Sequence, residues 1–253
     1  MAEAAPAGGA VAADVGWLPD SPQAALAFPP PRPLGPEARA MLPPVDPLTG
    51  AGALAERVLE VPAAFNVRLR VTPPGVRPVR FLRIEEEGSL SEEGMQGLFT
   101  RLEESSQRRP DLPVLQLSLN FALVTEEPAS LMLTPPFLHP GFRDWPGTLV
   151  SGRFPLRSWP RALNAALEWQ DRGRDWVIRR GDPLAYLWIV FDDRRKVPHL
   201  VEAARTPAFE RHYRQIGDVI SYGRNVGPMF EEAERRRPAR LLTAKPVGCP
   251  DCD

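Results

Sequence analysis

Apolar and polar residues alternate over residues 115–123 of the chain. One face of this segment carries only apolar residues, namely Leu115, Leu117, Leu119, Phe121 and Leu123. A period of two predicts a strand with one buried face. Residues 184–191 are instead apolar at every position and follow a Gly-Asp-Pro turn. Because this run is short and rich in aromatic and β-branched residues, it predicts a strand buried on both faces. Both segments lie within residues 113–192, which we expect to be the centre of a β core.

Shorter segments extend this β pattern along the chain. Residues 67–71 alternate valine or leucine with arginine, which predicts a strand exposed on one side. Further strands are predicted at residues 79–84, 131–133, 148–154 and 176–178. Residues 161–169 leave two interpretations open. Their leucines, alanines and tryptophan alternate as in a strand, but the run Ala-Leu-Asn-Ala-Ala-Leu-Glu has helical propensity.

The pattern changes to a helical one at three places. A first helix is predicted over residues 89–109, because Ser89 and Glu92 have capping-box spacing and apolar residues recur every three or four positions. A second is predicted to begin at Thr206, an N-cap residue followed by proline. A third is predicted to follow Pro228.

Proline is unusually frequent. The chain has 31 prolines in 253 residues, about two and a half times the ordinary share. Proline at this density disfavours long helices and suits short strands joined by rigid turns. Residues 1–50 form a Pro-, Ala- and Gly-rich arm, in which Trp17, Leu18 and Phe28 are apolar anchors. We expect part of the arm to pack on the core or on another subunit. The alternative is a polyproline ligand for a partner's aromatic groove.

These elements predict a mainly β (α+β) protein with three parts. The Pro-rich N-terminal arm covers residues 1–50, and a β core with one inserted helix covers residues 51–205. C-terminal helices and a Cys-x-x-Cys tail cover residues 206–253. Strands followed by terminal helices favour this class over an alternating α/β sheet.

Charge and composition exclude several classes of protein. Lys and Arg total 31 and Asp and Glu total 32, so nucleic acid is not an expected partner. The longest apolar run has eight residues, which is too short to span a membrane. The N-terminus lacks the features of a secretory signal. Both cysteines lie in the last five residues, so no disulfide framework is expected and a reduced, cytoplasmic setting fits best.

A set of short motifs resembles a family of uncharacterised phage and bacterial proteins. The motifs lie at residues 41–44, 65–67, 133–136, 145–150, 163–164 and 178–184. The family has a cupin-like core, also called a double-stranded β-helix or jelly roll. The resemblance covers roughly residues 40–205 and implies a jelly-roll fold for the β core, with residues 161–169 as a strand. It implies no catalytic residue.

The long loop of residues 134–147 is the most promising place for a ligand, because long loops in compact β domains are often functional. The candidate ligand-binding residues are His139, Arg143, Asp144, Trp145 and Arg153. Arginine and tryptophan can clamp and stack a planar or anionic small molecule. The alternative is that these side chains fix the loop onto the mouth of the barrel.

Two pairs of residues are candidate metal ligands. His199 and Glu202 are one pair, since a jelly-roll barrel can hold a metal through histidines and a carboxylate. Cys249 and Cys252 are the other, with the spacing of half a zinc site or of a redox pair. Neither pair completes a site in the sequence, so a free Cys-x-x-Cys tail is the alternative. Any cofactor would be a divalent metal, zinc or iron.

Two functions fit these observations. The first is a non-catalytic binding or accessory protein of a phage or phage-like locus, which engages a partner or a second subunit through its arm and barrel. The second is a cupin-type metal-dependent enzyme, or a small-molecule-binding protein, with its site at the barrel mouth. The sequence carries neither a glycine-rich phosphate loop nor a nucleophile elbow.

Overall fold

The computed structural model describes residues 10–42, 55–84, 90–103, 109, 111–219 and 227–246. Over these residues the protein is mainly β, as the sequence predicts. The strands are β1 (Val11–Pro19), β2 (Arg32–Pro33), β3 (Val58–Pro62), β4 (Val67–Val71), β5 (Phe81–Arg83), β6 (Phe99–Arg101), β7 (Val114–Val124), β8 (Ala129–Thr134), β9 (Gly147–Leu149), β10 (Gly152–Pro155), β11 (Ala162–Trp169), β12 (Trp176–Ile178), β13 (Pro183–Phe191) and β14 (Lys196–Glu202). The helices are α1 (Pro22–Ala27), α2 (Pro36–Ala40), α3 (Glu92–Leu98), α4 (Pro207–Val219) and α5 (Gly227–Arg236), with a 3₁₀ helix over Pro140–Asp144.

The strands form three sheets around a shared core. The first sheet has the order β14-β1-β7-β11-β9, with β6 also paired to β7. The second has the order β10-β8-β13-β3-β2, and the third has the order β12-β4-β5. The largest cluster of buried apolar side chains draws on all three sheets, with Leu117, Ile189 and Leu69 as examples. The sheets therefore bury their inner faces against one another.

Four antiparallel strand pairs are nested in chain order. β3 pairs with β13, β4 with β12, β7 with β11 and β8 with β10. The chain from β3 to β13 thus follows the path of one long hairpin that is bent across the sheets. The outermost and innermost pairs share the second sheet, where β13 contacts β8. The two intermediate pairs lie in the third and first sheets.

Strand β7 confirms the alternating pattern of the sequence. Its inward residues are all buried, and Leu117 is 1 % exposed. Asn120 has a φ of 57°, and the register of β7 with β11 shifts beside it. A left-handed residue at such a shift is typical of a β-bulge, which bends the strand. The bulge explains why β7 can contact β11 along one edge and both β6 and β1 along the other.

Strand β13 is also confirmed, and the structure explains its apolar sequence. Ala185, Leu187 and Ile189 belong to the shared core. On the opposite face Tyr186 belongs to a second apolar cluster with Leu34 and other residues of the N-terminal segment. Both faces are covered over most of the strand, so polar residues are largely absent from it.

The helix predicted over residues 89–109 is wrong in its extent. α3 covers only Glu92–Leu98, and its N-cap is Ser91, whose Oγ accepts a hydrogen bond from Gly94 N at 3.0 Å. Phe99–Arg101 forms β6 and pairs with β7. Two glycines weaken the helix, and Phe99 packs edge-on against Phe65 and Trp176. Ser89, the predicted cap, and residues 104–108 of the predicted helix lie outside the described residues.

Contacts distant in sequence determine the secondary structure of two other segments. The strand predicted over residues 148–154 is wrong, because the chain turns at residues 150–151 and forms β9 and β10 in different sheets. The ambiguous segment of residues 161–169 is a strand, β11. Its pairing with β7 on one edge and β9 on the other satisfies backbone groups that a lone strand would leave open.

The described part of the predicted arm belongs to the sheets. β1 lies between β14, to which it is parallel, and β7, to which it is antiparallel. Leu18 is fully buried, and Trp17 and Phe28 pack partly buried against the core. The apolar anchors of the arm therefore pack as expected, over residues 10–42.

The C-terminal segment closes over β1 and the end of β7. Thr206 caps α4 as predicted, since its Oγ1 accepts from Phe209 N at 3.1 Å. α5 follows at Gly227–Arg236. The Glu126 carboxylate, just after β7, accepts hydrogen bonds from Leu241 N and Leu242 N at 2.6 Å each and contacts the Arg237 guanidinium. These bonds fix residues 237–242 against the sheet.

Candidate functional site

Four polar residues form a row across the outer face of the second sheet. Arg32 of β2 lies opposite Glu60 of β3, Glu60 lies opposite Tyr186 of β13, and Tyr186 lies opposite Thr134 of β8. Opposite residues on antiparallel strands share a face, with Cβ atoms about 4.5–5.5 Å apart. Since the neighbours of Tyr186 in β13 face the core, the whole row must face outward.

Three of these residues line a cavity of about 360 Å³, which we call the Tyr186 pocket. Arg32, Glu60 and Tyr186 supply the polar part of its wall. Further parts of the wall come from Gly35–Ala38 at the start of α2, from residues 138–140, and from the turn of residues 181–183 before β13. Prolines at 36, 140 and 183 give these surrounding segments a rigid backbone. Segments from four separate parts of the chain therefore meet at one site.

Glu60 is a buried carboxylate in the wall of the pocket. The residue is 3 % exposed, and its Oε1 accepts a hydrogen bond from Arg32 Nε at 2.6 Å. Among the described residues, its Oε2 accepts a long bond from Gly35 N alone, at 3.4 Å. Arg32 also donates to Gly181 O at 3.1 Å. A buried charge requires such a partner, so Arg32 both neutralises Glu60 and connects β3 to the turn before β13.

Tyr186 presents a hydroxyl group with no protein partner. The residue is fully buried, and its hydroxyl makes no hydrogen bond to any described residue. Burial, and secondly the negative charge of Glu60, raise the pKa of Tyr186 above its ordinary value, so the phenol stays protonated at neutral pH. A buried, unbonded hydroxyl costs about 1–3 kcal/mol of folding free energy and is an unusual feature of a native structure.

Two neighbouring side chains share this property. Thr134 Oγ1 and Trp188 Nε1 are buried and, within the described part of the chain, have no hydrogen-bond partner. Thr134 lies opposite Tyr186 in the sheet, and Trp188 lies two residues further along β13. The ring of Phe137 packs against both Tyr186 and Trp188. Three unsatisfied polar atoms are thus concentrated on one face of the second sheet.

The structure places the predicted ligand-binding residues in different surroundings. His139 lines the Tyr186 pocket. Arg143 and Asp144 are exposed, and Trp145 packs on the core beside Phe142 and Trp176. Arg153 lies on the outer face of the same sheet, where it donates to Ser130 Oγ at 3.1 Å. Of the five predicted residues, only His139 lines this pocket.

The structure does not bring the candidate metal ligands His199 and Glu202 together. His199 Nδ1 lies 2.8 Å from Asp14 Oδ1, whereas Glu202 forms an ion pair with Lys245 Nζ at 2.9 Å. Three residues apart in a strand, the two side chains point to opposite faces. The described residues contain no group of three or more His, Cys, Asp or Glu side chains that could hold a metal ion. They do not fit the metal of a cupin-type site. Cys249 and Cys252 lie outside the described residues.

The main residues of the pocket were not singled out from the sequence. Glu60 had a local signal, because it is the one charged residue in the strand segment Val58–Pro62. Tyr186 had none, because it is one aromatic residue in a run of apolar ones. Arg32 and Thr134 had no local signal either, because only the register of the strands places them beside Glu60 and Tyr186.

Comparison with protein-family models found no match, and comparison with curated proteins found none either. The resemblance to a cupin-like family therefore stays a prediction. Among the described helices, none is long and apolar enough to cross a membrane.

Proposed function

We propose that the protein is a non-catalytic binding protein that holds a small molecule in the Tyr186 pocket. The observation that carries this proposal is the cavity itself. Four separate parts of the chain form its wall, which sets the charged side chains of Arg32, Glu37 and Asp182 beside apolar ones.

The size and lining of the cavity support a small-molecule ligand. A volume of about 360 Å³ lies within the usual range for ligand sites, about 300–1,000 Å³. Pro36, Leu138 and Pro183 offer apolar contact area, while Arg32, Glu37 and Asp182 offer accessible polar groups. Such a combination of apolar walls and a few polar groups is typical of ligand pockets.

The chemistry of the lining favours binding over catalysis. Tyr186, with its raised pKa, is a poor base or nucleophile at neutral pH. The carboxylate of Glu60 is held in an ion pair with Arg32. The alternative of a cupin-type metal-dependent enzyme has no supporting ligand set among the described residues. The side chains that line the pocket can therefore bind a ligand, whereas catalysis would need a base, a nucleophile or a metal that the described lining does not provide.

For the fold, we propose a variant jelly roll. The nested pairing of β3–β13, β4–β12, β7–β11 and β8–β10 supports it, since a jelly roll is a long hairpin rolled into two sheets. The variation lies in which strand pairs share a sheet. Here the outermost pair, β3–β13, and the innermost pair, β8–β10, lie in the same sheet. A role in a phage or phage-like locus, a homo-oligomer or protein partner bound through the arm, and a cytoplasmic location stay predictions.

Ligand-observed NMR with a library of small fragments of all charges tests the binding proposal. We expect fragments to bind the wild-type chain. Binding should be abolished in Ala38→Leu, because Ala38 lines the pocket and a larger side chain fills part of its volume. Ala40→Leu is the matched control, since Ala40 lies on the same helix, exposed and outside the lining. Binding should persist in that variant.

Two outcomes would contradict the proposal. One is a wild-type protein that binds no fragment. The other is a set of fragments that bind Ala38→Leu and wild type equally well, which would locate binding elsewhere. Near-ultraviolet circular dichroism of each variant verifies that the fold is intact.

A further inference from the structure

His212 is a buried histidine on the inner side of α4. The residue is 2 % exposed, and its Nε2 donates a hydrogen bond to the carbonyl oxygen of Ser158 at 3.0 Å. A carbonyl oxygen can only accept, so Nε2 carries the proton and the neutral ring has an unprotonated Nδ1. Within the described part of the chain, Ser158 O is the one hydrogen-bond partner of the ring. This bond therefore links α4 to the segment that follows β10.

The same segment also holds α5. Trp159 packs edge-on against Phe230 of α5, with ring centroids 4.8 Å apart. It forms an apolar cluster with Ile216 of α4 and Ala233 of α5. The hydrogen bond of His212 thus lies where both C-terminal helices meet the β core.

The packing at this interface is incomplete. A cavity of about 300 Å³ lies between α4, α5 and Trp159, and His212 forms part of its wall. Apolar side chains such as Ile216 and Met229 line the same cavity. Side chains beside a cavity lack contact partners on that side, and weakly packed elements open more readily than the core of a sheet. Local opening should therefore cost less at this interface than in the sheets.

Protonation of His212 would bury a positive charge without a partner. The proton added to Nδ1 finds no acceptor among the described residues, and the transfer of a charged ring out of water is costly. A helix that detaches exposes the ring to water, where the charged form is stable. Protonation therefore favours the detached state of the helix.

The charged groups around His212 do not remove this cost. Burial lowers the pKa of His212, and the charge of Arg237 lowers it further. The bond to Ser158 O and the charge of Glu234 act in the opposite direction but do not reverse the shift. Glu234 is itself paired with Arg157. The other charged side chains near the ring are the ion pair of Glu232 with Arg236 on α5 and the exposed Arg211 and Arg214 on α4.

We infer that His212 is a pH-sensitive latch that holds α4 and α5 on the β core. The neutral ring keeps the bond to Ser158 O, and acidification releases the helix pair. The pKa of His212 in the folded protein lies below the ordinary value of 6.5. Its contribution to stability is therefore complete above pH 6.5 and is lost as the pH falls below that value. The latch is separate from the Tyr186 pocket.

Measurements between about pH 7.5 and pH 5 separate His212 from two carboxylates of the same region. Glu126 keeps its bonds over this range, because its pKa lies below 4.5. Burial raises the pKa of Asp20, which accepts a hydrogen bond from Tyr213 of α4. Protonation of Asp20 therefore favours the folded state and opposes the expected loosening.

Hydrogen exchange on the full chain tests the latch. The protection factors of α4 amides, which correct for the intrinsic exchange rate, should fall about fivefold or more over this pH range. Those of β13 should change less. His212→Gln keeps an amide donor for Ser158 O and stays neutral, so the fall in α4 should disappear. His139→Gln is the matched control, because His139 lines the Tyr186 pocket on the second sheet, and the fall should persist in it.

An NMR titration of the His212 ring gives an independent measurement, which decides the question even if His212→Gln does not fold. The ring should titrate below pH 6.5 in the native chain. Titration at or above that value would overturn the inference. Protection factors that change equally in α4 and β13, or a fall in α4 that persists in His212→Gln, would overturn it as well.

Discussion

At Tyr186, the ring and the hydroxyl group have opposite effects on stability. Its ring packs against Phe137 and fills the outer face of the second sheet. Its oxygen is buried without a partner in the described part of the chain. The ring of Tyr186 therefore stabilises the second sheet, while its hydroxyl costs stability.

Tyr186→Phe should stabilise the ligand-free protein. The substitution keeps the ring and removes an unsatisfied buried hydroxyl, so we expect a gain of about 1–3 kcal/mol in the free energy of unfolding. For a chain of this length, each kcal/mol corresponds to a rise of about 2–4 °C in Tm. Thermal and urea unfolding monitored by circular dichroism measure the change.

Tyr213→Phe is the matched control. Its hydroxyl donates to Asp20 Oδ1 at 3.2 Å, so its removal should lower stability by about 1 kcal/mol. Equal losses in both variants would show that the Tyr186 hydroxyl is satisfied in the folded protein.

At the scale of elements, the segment after α5 depends on one side chain of the β7–β8 connection. Burial raises the pKa of Glu126, but hydrogen bonds from Leu242 N, Arg237 and Leu241 N outweigh it, and the pKa lies below its ordinary value. The same segment places Leu241 and Leu242 in a cluster with Leu18 and Val124. One carboxylate therefore holds a chain segment over two strands.

Glu126→Gln should weaken the attachment of this segment. The amide keeps one oxygen for Leu241 N and Leu242 N but loses the charge that pairs with Arg237. We expect a loss of about 1–2 kcal/mol, reduced from the value for fully buried bonds because a third of the side chain is exposed. Hydrogen exchange at Leu241 N and Leu242 N should accelerate. Glu127→Gln is the control, because the Glu127 carboxylate forms a surface ion pair with Lys196. This substitution should change the free energy of unfolding by less than about 1 kcal/mol.

The sign of the pH dependence follows from the lowered pKa. Glu126 binds protons more weakly in the folded than in the unfolded protein, so its stabilisation is complete above the ordinary value of 4.5 and is lost as pH falls through the folded pKa. The difference between wild type and Glu126→Gln should shrink over that window. A difference that stays constant as the solution is acidified would contradict this account.

At the scale of the whole molecule, the N-terminal segment is part of the β core. β1 pairs with β14 over residues 11–17 and with β7 over residues 16–19, so it connects these two strands of the first sheet. β2 carries Arg32 to the pocket. The same segment thus stabilises the first sheet and completes the wall of the Tyr186 pocket on the second.

Leu18→Ala tests this role of the N-terminal segment. Leu18 is fully buried, so its truncation should cost about 2–5 kcal/mol of unfolding free energy. Leu26→Ala removes the same atoms from a residue that is 92 % exposed, and should stay within about 0.5 kcal/mol of wild type. Chemical denaturation of both variants gives the comparison. Equal stability of the two would mean that the segment is only a tether.

Local patterns determined much of the secondary structure. The alternation in β7, the apolar run of β13 and the Thr206 cap of α4 are interactions between residues close in sequence, so the amino-acid order alone predicts them. The length of the inserted helix was overestimated because a contact distant in sequence ends it. Phe99–Arg101 gains its stability as β6 by pairing with β7, which is a contact that local propensity does not contain.

The sequence by itself determined that this chain is a mainly β protein with an N-terminal segment that packs. It also directed attention to the loop that carries His139 into the pocket. Only the tertiary structure decided the site, because Arg32, Glu60, Thr134 and Tyr186 come from four strands far apart in sequence. Strand register sets that row, and register depends on burial and pairing across the whole sheet.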